Sequence, residues 1–95
     1  MIFYRCCTPD SLELVLQGYQ DVHLPFHCDQ KLELIKMFEG ESPRVDSQAV
    51  CGFASLEPSE GELKLWVENA DQHDGTCVFI TTDEAKHVAD GLEGT

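Results

Sequence analysis

Apolar and polar residues alternate most regularly in the C-terminal half of the chain. In residues 62–68, every second residue is leucine or valine, and the residues between and after them are Lys64, Trp66 and Glu68. This period of two is typical of a half-buried strand. Residues 46–56 are rich in small and apolar side chains, residues 57–61 have the composition of a turn, and residues 76–81 are rich in strand-forming residues. The short connections predict three consecutive antiparallel strands.

Residues 82–92 change to the period of a helix. A threonine at 81 or 82 is placed to cap the helix N-terminus, and the acidic residues that follow interact favourably with the helix dipole. Apolar side chains then recur with helical spacing, at Ala85, Val88, Ala89 and Leu92. We expect this narrow stripe to pack against the sheet.

The N-terminal half has a less decisive pattern. Residues 2–7 predict a strand, and Pro25 places the extended residues around it at a sheet edge. Residues 9–18 fit a helix that begins at Pro9 and ends near Gly18, but leucines at every second position also fit a strand. Asp29 is placed to cap a helix that ends at Gly40, yet for residues 30–39 the choice between helix and strand stays open.

These elements together predict one α+β domain that spans residues 1–95. Its antiparallel sheet contains strands near residues 2–7, 46–56, 62–68 and 76–81, and helices that include residues 82–92 cover one face. Ninety-five residues are enough for a single modest core.

The chain carries a formal charge of -12, from 18 acidic and six basic residues. Residues 57–95 contain ten of the acids and only Lys64 and Lys86 as bases, so the negative potential is concentrated there. Direct binding of nucleic acid requires the opposite sign, and we exclude it. The acidity either serves solubility alone or forms a face that docks on a basic protein surface.

No motif for catalysis stands out. The sequence contains no glycine-rich phosphate loop, nucleophile elbow or His-Glu-x-x-His pattern, and six basic residues leave little scope for activating a cysteine. We therefore expect a protein that is not an enzyme.

Histidines and cysteines offer one metal-binding possibility. His23, His27 and Cys28, completed by Cys6 or Cys7, have the residue types that zinc accepts. There is no Cys-x-x-Cys pair, and His23 and His27 would stand about 13 Å apart on a strand. We expect no metal, no cofactor and reduced thiols, with Cys51 and Cys77 as small core residues.

The partner-binding residues that we predict are acidic side chains around one aromatic residue. Trp66 either lies under a helix in the core, which we favour, or is exposed between Lys64 and Glu68, where it would anchor a protein interface. The full predicted set is Glu57, Glu60, Glu62, Glu68, Asp71, Asp74 and Trp66.

Residues 78–92, Val-Phe-Ile-Thr-Thr-Asp-Glu-Ala-Lys-His-Val-Ala-Asp-Gly-Leu, resemble the strand–turn–helix ending of small acidic phage and prophage proteins. Such proteins include anti-CRISPR and anti-restriction inhibitors, and the resemblance implies an inhibitor that blocks a nucleic-acid site, in the manner of a nucleic-acid mimic.

The sequence thus favours a non-enzymatic inhibitor of a basic, nucleic-acid-binding protein or complex. One alternative is an immunity protein or antitoxin that neutralises a basic toxin, and another is a small zinc- or redox-dependent domain. No stretch reaches the roughly 18 apolar residues of a membrane helix, and residues 1–7 lack the pattern of a secretion signal. We expect no membrane association and a cytoplasmic location, which is the host cytoplasm if a phage encodes the protein.

Overall fold

A computed structural model of the protein describes the backbone of residues 2–8, 11–17 and 21–94, and the side chains from residue 11 onward within those ranges. The elements in chain order are β1 (Ile2–Thr8), β2 (Ser11–Leu16), β3 (Val22–His27), α1 (Lys31–Phe38), β4 (Arg44–Asp46), β5 (Gly52–Ser59), β6 (Glu62–Asn69), β7 (Asp74–Ile80) and α2 (Thr82–Glu93). Single 3₁₀ turns lie at Cys28–Gln30 and Ala70–Gln72.

The strands form two antiparallel sheets, which confirms the α+β class. One sheet has the order β1-β2-β3, and the other has the order β4-β5-β6-β7. The strand predicted over residues 2–7 therefore lies in a sheet with β2 and β3, and it does not join the C-terminal strands. The chain order explains this division, because short connections pair β1 to β3 with one another and α1 separates them from β4.

The open choice for residues 9–18 is settled as a strand over the residues described. β2 pairs with β1 on one side and with β3 on the other, and Leu12, Leu14 and Leu16 all face the core. In a helix, Leu14 would point away from Leu12 and Leu16. Residues 9–10 and 18–20, which would hold the start and end of the alternative helix, lie outside the described residues.

The predicted strand 46–56 is interrupted. β4 ends at Asp46 and β5 begins at Gly52. Between them the Ser47 hydroxyl accepts hydrogen bonds from the backbone N–H groups of Ala49 and Val50, and it donates one to the Pro25 carbonyl. This local turn replaces the ladder, because the serine side chain offers the backbone an alternative partner.

The segment 30–39 is a helix, but its cap differs from the prediction. His27, and not Asp29, caps the preceding 3₁₀ turn, where its ring accepts from the Asp29 N–H. α1 ends before Gly40, which has a left-handed backbone with φ of 86°. The N–H groups of Gly40 and Glu41 bond to the carbonyls of Met37 and Lys36, which is the glycine-terminated Schellman arrangement.

The helix predicted over residues 82–92 is present as α2. Thr81 and Glu84 form a reciprocal capping box at its start. Ala85, Ala89 and Leu92 are buried as expected and Val88 is partly buried, but α2 packs mainly against α1 and not against the sheet as we predicted.

One continuous core lies between the two sheets and the helices. Leucines, valines and phenylalanines from the inner faces of both sheets meet the apolar stripes of α1 and α2 there. Gln30 and Asn69 are the buried polar side chains of the described residues. Neither described helix has the length and apolar character needed to cross a membrane.

Candidate functional site

The four-stranded sheet turns one face away from the core. Burial alternates along its strands, so that Ala54, Leu56, Leu65 and Val67 are covered while the residues between them reach solvent. We call this side the outer face. Its side chains are Arg44 and Asp46 from β4, Phe53, Ser55 and Glu57 from β5, Lys64, Trp66 and Glu68 from β6, and Cys77 and Phe79 from β7.

Trp66 stands at the centre of the outer face, so the core position that we favoured for it is wrong. It is half-buried, and its cross-strand neighbours are Ser55 and Cys77. The indole ring lies against Gly75, where an added Cβ would come within 3.4 Å of the ring carbon Cζ2. The ring and this glycine are therefore in direct van der Waals contact.

Two further aromatic residues share this face. Phe79 is 55% exposed, and Phe53 is half-buried beneath Arg44, whose guanidinium carbon lies 3.9 Å from the ring centroid. Asp46 holds the same guanidinium through bonds of 2.8 and 3.0 Å. This arginine is thus committed to neighbours in its own chain.

Beside Trp66 the outer face falls into a depression of about 320 Å³, which we call the acidic depression. Its lining is Glu68, Ala70, His73, Asp74 and Gly75. His73 has a left-handed backbone with φ of 55°, where it ends the 3₁₀ turn between β6 and β7. Two of the predicted acidic residues, Glu68 and Asp74, therefore line one depression, and Glu68 lies with the Trp66 ring against Gly75.

Asp71 lies on the same turn, and its carboxylate accepts a hydrogen bond of 3.2 Å from the Cys51 N–H. It fixes the turn to the start of β5 and also adds negative charge near the acidic depression. Cys51 itself is exposed and Cys77 lies on the outer face, so neither is the core residue that we predicted.

The other three predicted acids lie elsewhere. Glu57, Glu60 and Glu62 surround the hairpin that joins β5 to β6, and Glu62 is about 20 Å along β6 from Glu68. The hairpin is a two-residue turn at Glu60 and Gly61, both with positive φ, which matches the twist of the strands. The predicted set thus separates into two acidic groups at opposite ends of the sheet.

A third acidic group escaped the sequence analysis. The pKa of Glu39 is raised by loss of hydration and by the nearby carboxylates of Glu93, Glu41 and Asp90. These residues come together because α1 and α2 end side by side. Negative charge at the C-terminus of a helix is also unfavourable, because the helix dipole is negative at that end. No periodicity within either helix could have shown this.

Of the proposed metal ligands that the structure describes, His23 lies apart from His27 and Cys28. The His23 ring bonds to Glu13 at 2.9 Å on the three-stranded sheet, while His27 caps the turn at the end of β3. The ligand atoms of His27, Cys28 and Asp29 do lie within 4.8 Å of one another, at a solvent-exposed position. The side chains of Cys6 and Cys7 are outside the described residues.

Phe53 and Phe79 are aromatic residues of the outer face that the predicted set did not include. The alternation in residues 53–57 could have predicted that Phe53 faces away from the core. The orientation of Phe79, in contrast, depends on the register between β6 and β7. Comparison of the chain with protein families, with curated proteins and with solved structures finds no match.

Proposed function

We propose that the protein is a non-enzymatic inhibitor of the anti-CRISPR or anti-restriction kind, which docks the outer face on a basic, nucleic-acid-binding protein or complex. In this proposal the contact region extends from Trp66 to the end of the face that holds Glu68, and the acidic depression receives a lysine or arginine side chain of the partner. The observation that carries the proposal is that the Trp66 indole and the Glu68 side chain both lie against Gly75, which lines the acidic depression together with Glu68 and Asp74.

The chemistry of this arrangement favours a cationic ligand. An indole ring attracts ammonium and guanidinium groups through its negative face, and a carboxylate next to it adds a charge-assisted hydrogen bond. A half-buried tryptophan is also the residue type that most often dominates binding energy at an interface. The same features repel a phosphate group, so the ligand is a protein surface and not nucleic acid.

Charge on the whole molecule supports the same partner. The formal charge of -12 attracts a basic surface before contact, and complementary potentials raise the association rate. The acidic group at the β5–β6 hairpin is about 20 Å from the depression, which lets the two groups meet separate basic patches of a nucleic-acid channel.

The test begins with capture of the partner from host cells and its purification. Binding is then compared for three variants in which acids become their amides. The first carries Glu68→Gln, Asp71→Asn and Asp74→Asn, and the second carries Glu57→Gln, Glu60→Gln and Glu62→Gln. The control, on the exposed side of α2, carries Asp83→Asn, Asp90→Asn and Glu93→Gln.

Each variant loses three negative charges, so a difference in affinity between the variants shows the effect of where those charges lie. We expect the first to weaken binding more than tenfold, the second less, and the control least. Trp66→Ala should weaken binding without changing its dependence on salt. Affinity should fall as salt rises, because ions screen exposed charges beyond about 8–10 Å, and DNA or RNA should compete for the partner.

Three results would contradict the proposal: affinity that is indifferent to salt, equal losses in all three variants, and simultaneous binding of nucleic acid and inhibitor. Those results would indicate an apolar contact elsewhere on the protein and inhibition at a distance from the nucleic-acid site.

A further inference from the structure

The sheet edges differ in how they are protected from pairing with another strand. In the part of the chain that the structure describes, β1 has an irregular register between Cys6 and Thr8, β3 contains Pro25, and β4 is three residues long with charged ends. Bulges, prolines, charges and shortness are the usual means of blocking edge-to-edge association. β7 is less protected: it is seven residues long, pairs regularly with β6, contains no proline, and carries its one charged residue, Asp74, at its first position.

We propose that β7, the edge strand of the four-stranded sheet in the described residues, pairs with β7 of a second copy, in a twofold-symmetric antiparallel dimer centred on Cys77. The two four-stranded sheets then become one continuous sheet of eight strands. In this register Cys77 lies opposite the second copy's Cys77, and Phe79 lies opposite the second copy's Gly75. The remaining pairs are Thr76 with Val78 and Asp74 with Ile80.

The register is self-complementary in shape. Phe79 is 55% exposed in the single chain, which is costly for a large aromatic side chain on a strand. Opposite it, Gly75 leaves space for a ring, and the Trp66 indole lies on the far side of that glycine. Phe79 therefore reaches the second copy's Trp66 across Gly75, and aromatic pairs on one sheet face stabilise strand pairing.

The register is also compatible in charge. Asp74 is the charged residue of β7, and it faces the uncharged Ile80 of the second copy. The repulsion between two chains of charge -12 still opposes association. Pairing of one strand buries less area than a standard stable interface, so the dimer is weak and depends on concentration. Salt screens the repulsion between the chains and should therefore strengthen the dimer.

This inference does not rest on the proposed function, because it is read from the protein alone. The two proposals also predict opposite effects of salt. A higher salt concentration weakens binding of the partner and strengthens the dimer.

Sedimentation velocity from micromolar to millimolar concentration, at low and high salt, tests the dimer. The variant Phe79→Glu places a charge opposite the second copy's Gly75, and Leu32→Glu is the matched control, because Leu32 is 60% exposed on α1. We expect the mass of the wild type and the control to rise from 10.6 kDa towards twice that value. Phe79→Glu should stay monomeric at every concentration.

A wild type that stays monomeric at high concentration and high salt would overturn the proposal, as would equal association of all three proteins. A second measurement tests the register through chains that keep one cysteine each, with the others replaced by serine. Diamide accepts the two thiol hydrogens as a disulfide forms, and directly opposed strand residues are within disulfide reach. The chain that keeps Cys77 should cross-link several-fold faster than the one that keeps the exposed Cys51. Equal rates, or faster linkage through Cys51, would show that the register is wrong.

Discussion

Gln30 is one of the two buried amide side chains of the described residues, the other being Asn69. It is 2% exposed, and its oxygen accepts hydrogen bonds from the backbone N–H groups of His27 and Gln48. Its nitrogen donates to the Asp46 carbonyl at 2.6 Å and to Glu33 at 3.2 Å. The Gln30 amide thus forms hydrogen bonds with groups at the end of β3, in the first turn of α1, at the end of β4 and in the loop that follows β4.

Replacing Gln30 with leucine should destabilise the fold even though leucine is more apolar and similar in size. The backbone groups of Asp46 and Gln48 would lose their partner, and each unsatisfied buried group costs roughly 1–3 kcal/mol. We expect the free energy of unfolding to fall by at least ~2 kcal/mol in urea denaturation. Gln72→Leu at an exposed site is the control and should change it little. Equal effects of both substitutions would argue against the network.

Single residues were the hardest part of the structure to predict from the sequence. Gln30 has no local signal, because its partners lie up to 18 positions away. Gly52 is similar: a Cβ there would collide with the Glu68 carbonyl and the Leu24 side chain, where the two sheets approach each other. Trp66 was placed on the correct side of its strand by alternation, but alternation cannot tell which side a helix covers.

Elements were predicted best where a single period persists between clear end signals. β6 and α2 satisfy this condition, with strict alternation in the first and a threonine cap with a spaced apolar stripe in the second. The strand predicted over residues 46–56 is correct only from Gly52 onward, because Ser47 forms a turn between β4 and β5. For β2 the sequence fitted two periods, and pairing with both neighbours decides between them.

The apolar stripe of α2 provides a prediction at this scale. Leu92 is fully buried in the core shared by the helices and sheets, so Leu92→Asp would place an unpaired charge there. We expect a loss of roughly 2–4 kcal/mol in the free energy of unfolding, read from thermal and urea denaturation. His87→Asp adds the same charge at an exposed position of α2 and should cost much less. An unchanged melting temperature for Leu92→Asp would show that α2 does not dock through this stripe.

At the scale of the whole molecule, negative charge is spread over three groups. One lies at the acidic depression, one at the β5–β6 hairpin, and one where α1 and α2 end together. The sequence predicted the total charge and its excess in the C-terminal half, but not this partition. The partition arises from strand register and helix packing, which bring Glu39 and Glu93 together from positions 54 residues apart in the chain.

The group at the helix ends makes stability depend on pH. The folded-state pKa of Glu39 is raised above its ordinary value of 4.5 by lost hydration and by Glu93, Glu41 and Asp90. The folded state therefore holds this proton more tightly than the unfolded state. Its contribution to stability is fully present below pH 4.5 and is lost as pH rises through the raised pKa.

Glu39→Gln removes this titration and should melt at a higher temperature than the wild type at neutral pH. The difference between the two proteins should shrink as pH falls towards 4.5, because the wild-type carboxyl then becomes neutral like the amide. Glu57→Gln, which removes one charge from the outer face, controls for the change in net charge. Melting temperatures measured across this pH range, with salt held constant, check the sign. A Glu39→Gln advantage that persists unchanged in acid would mean that the substitution acts through helix packing and not through repulsion between the carboxylates.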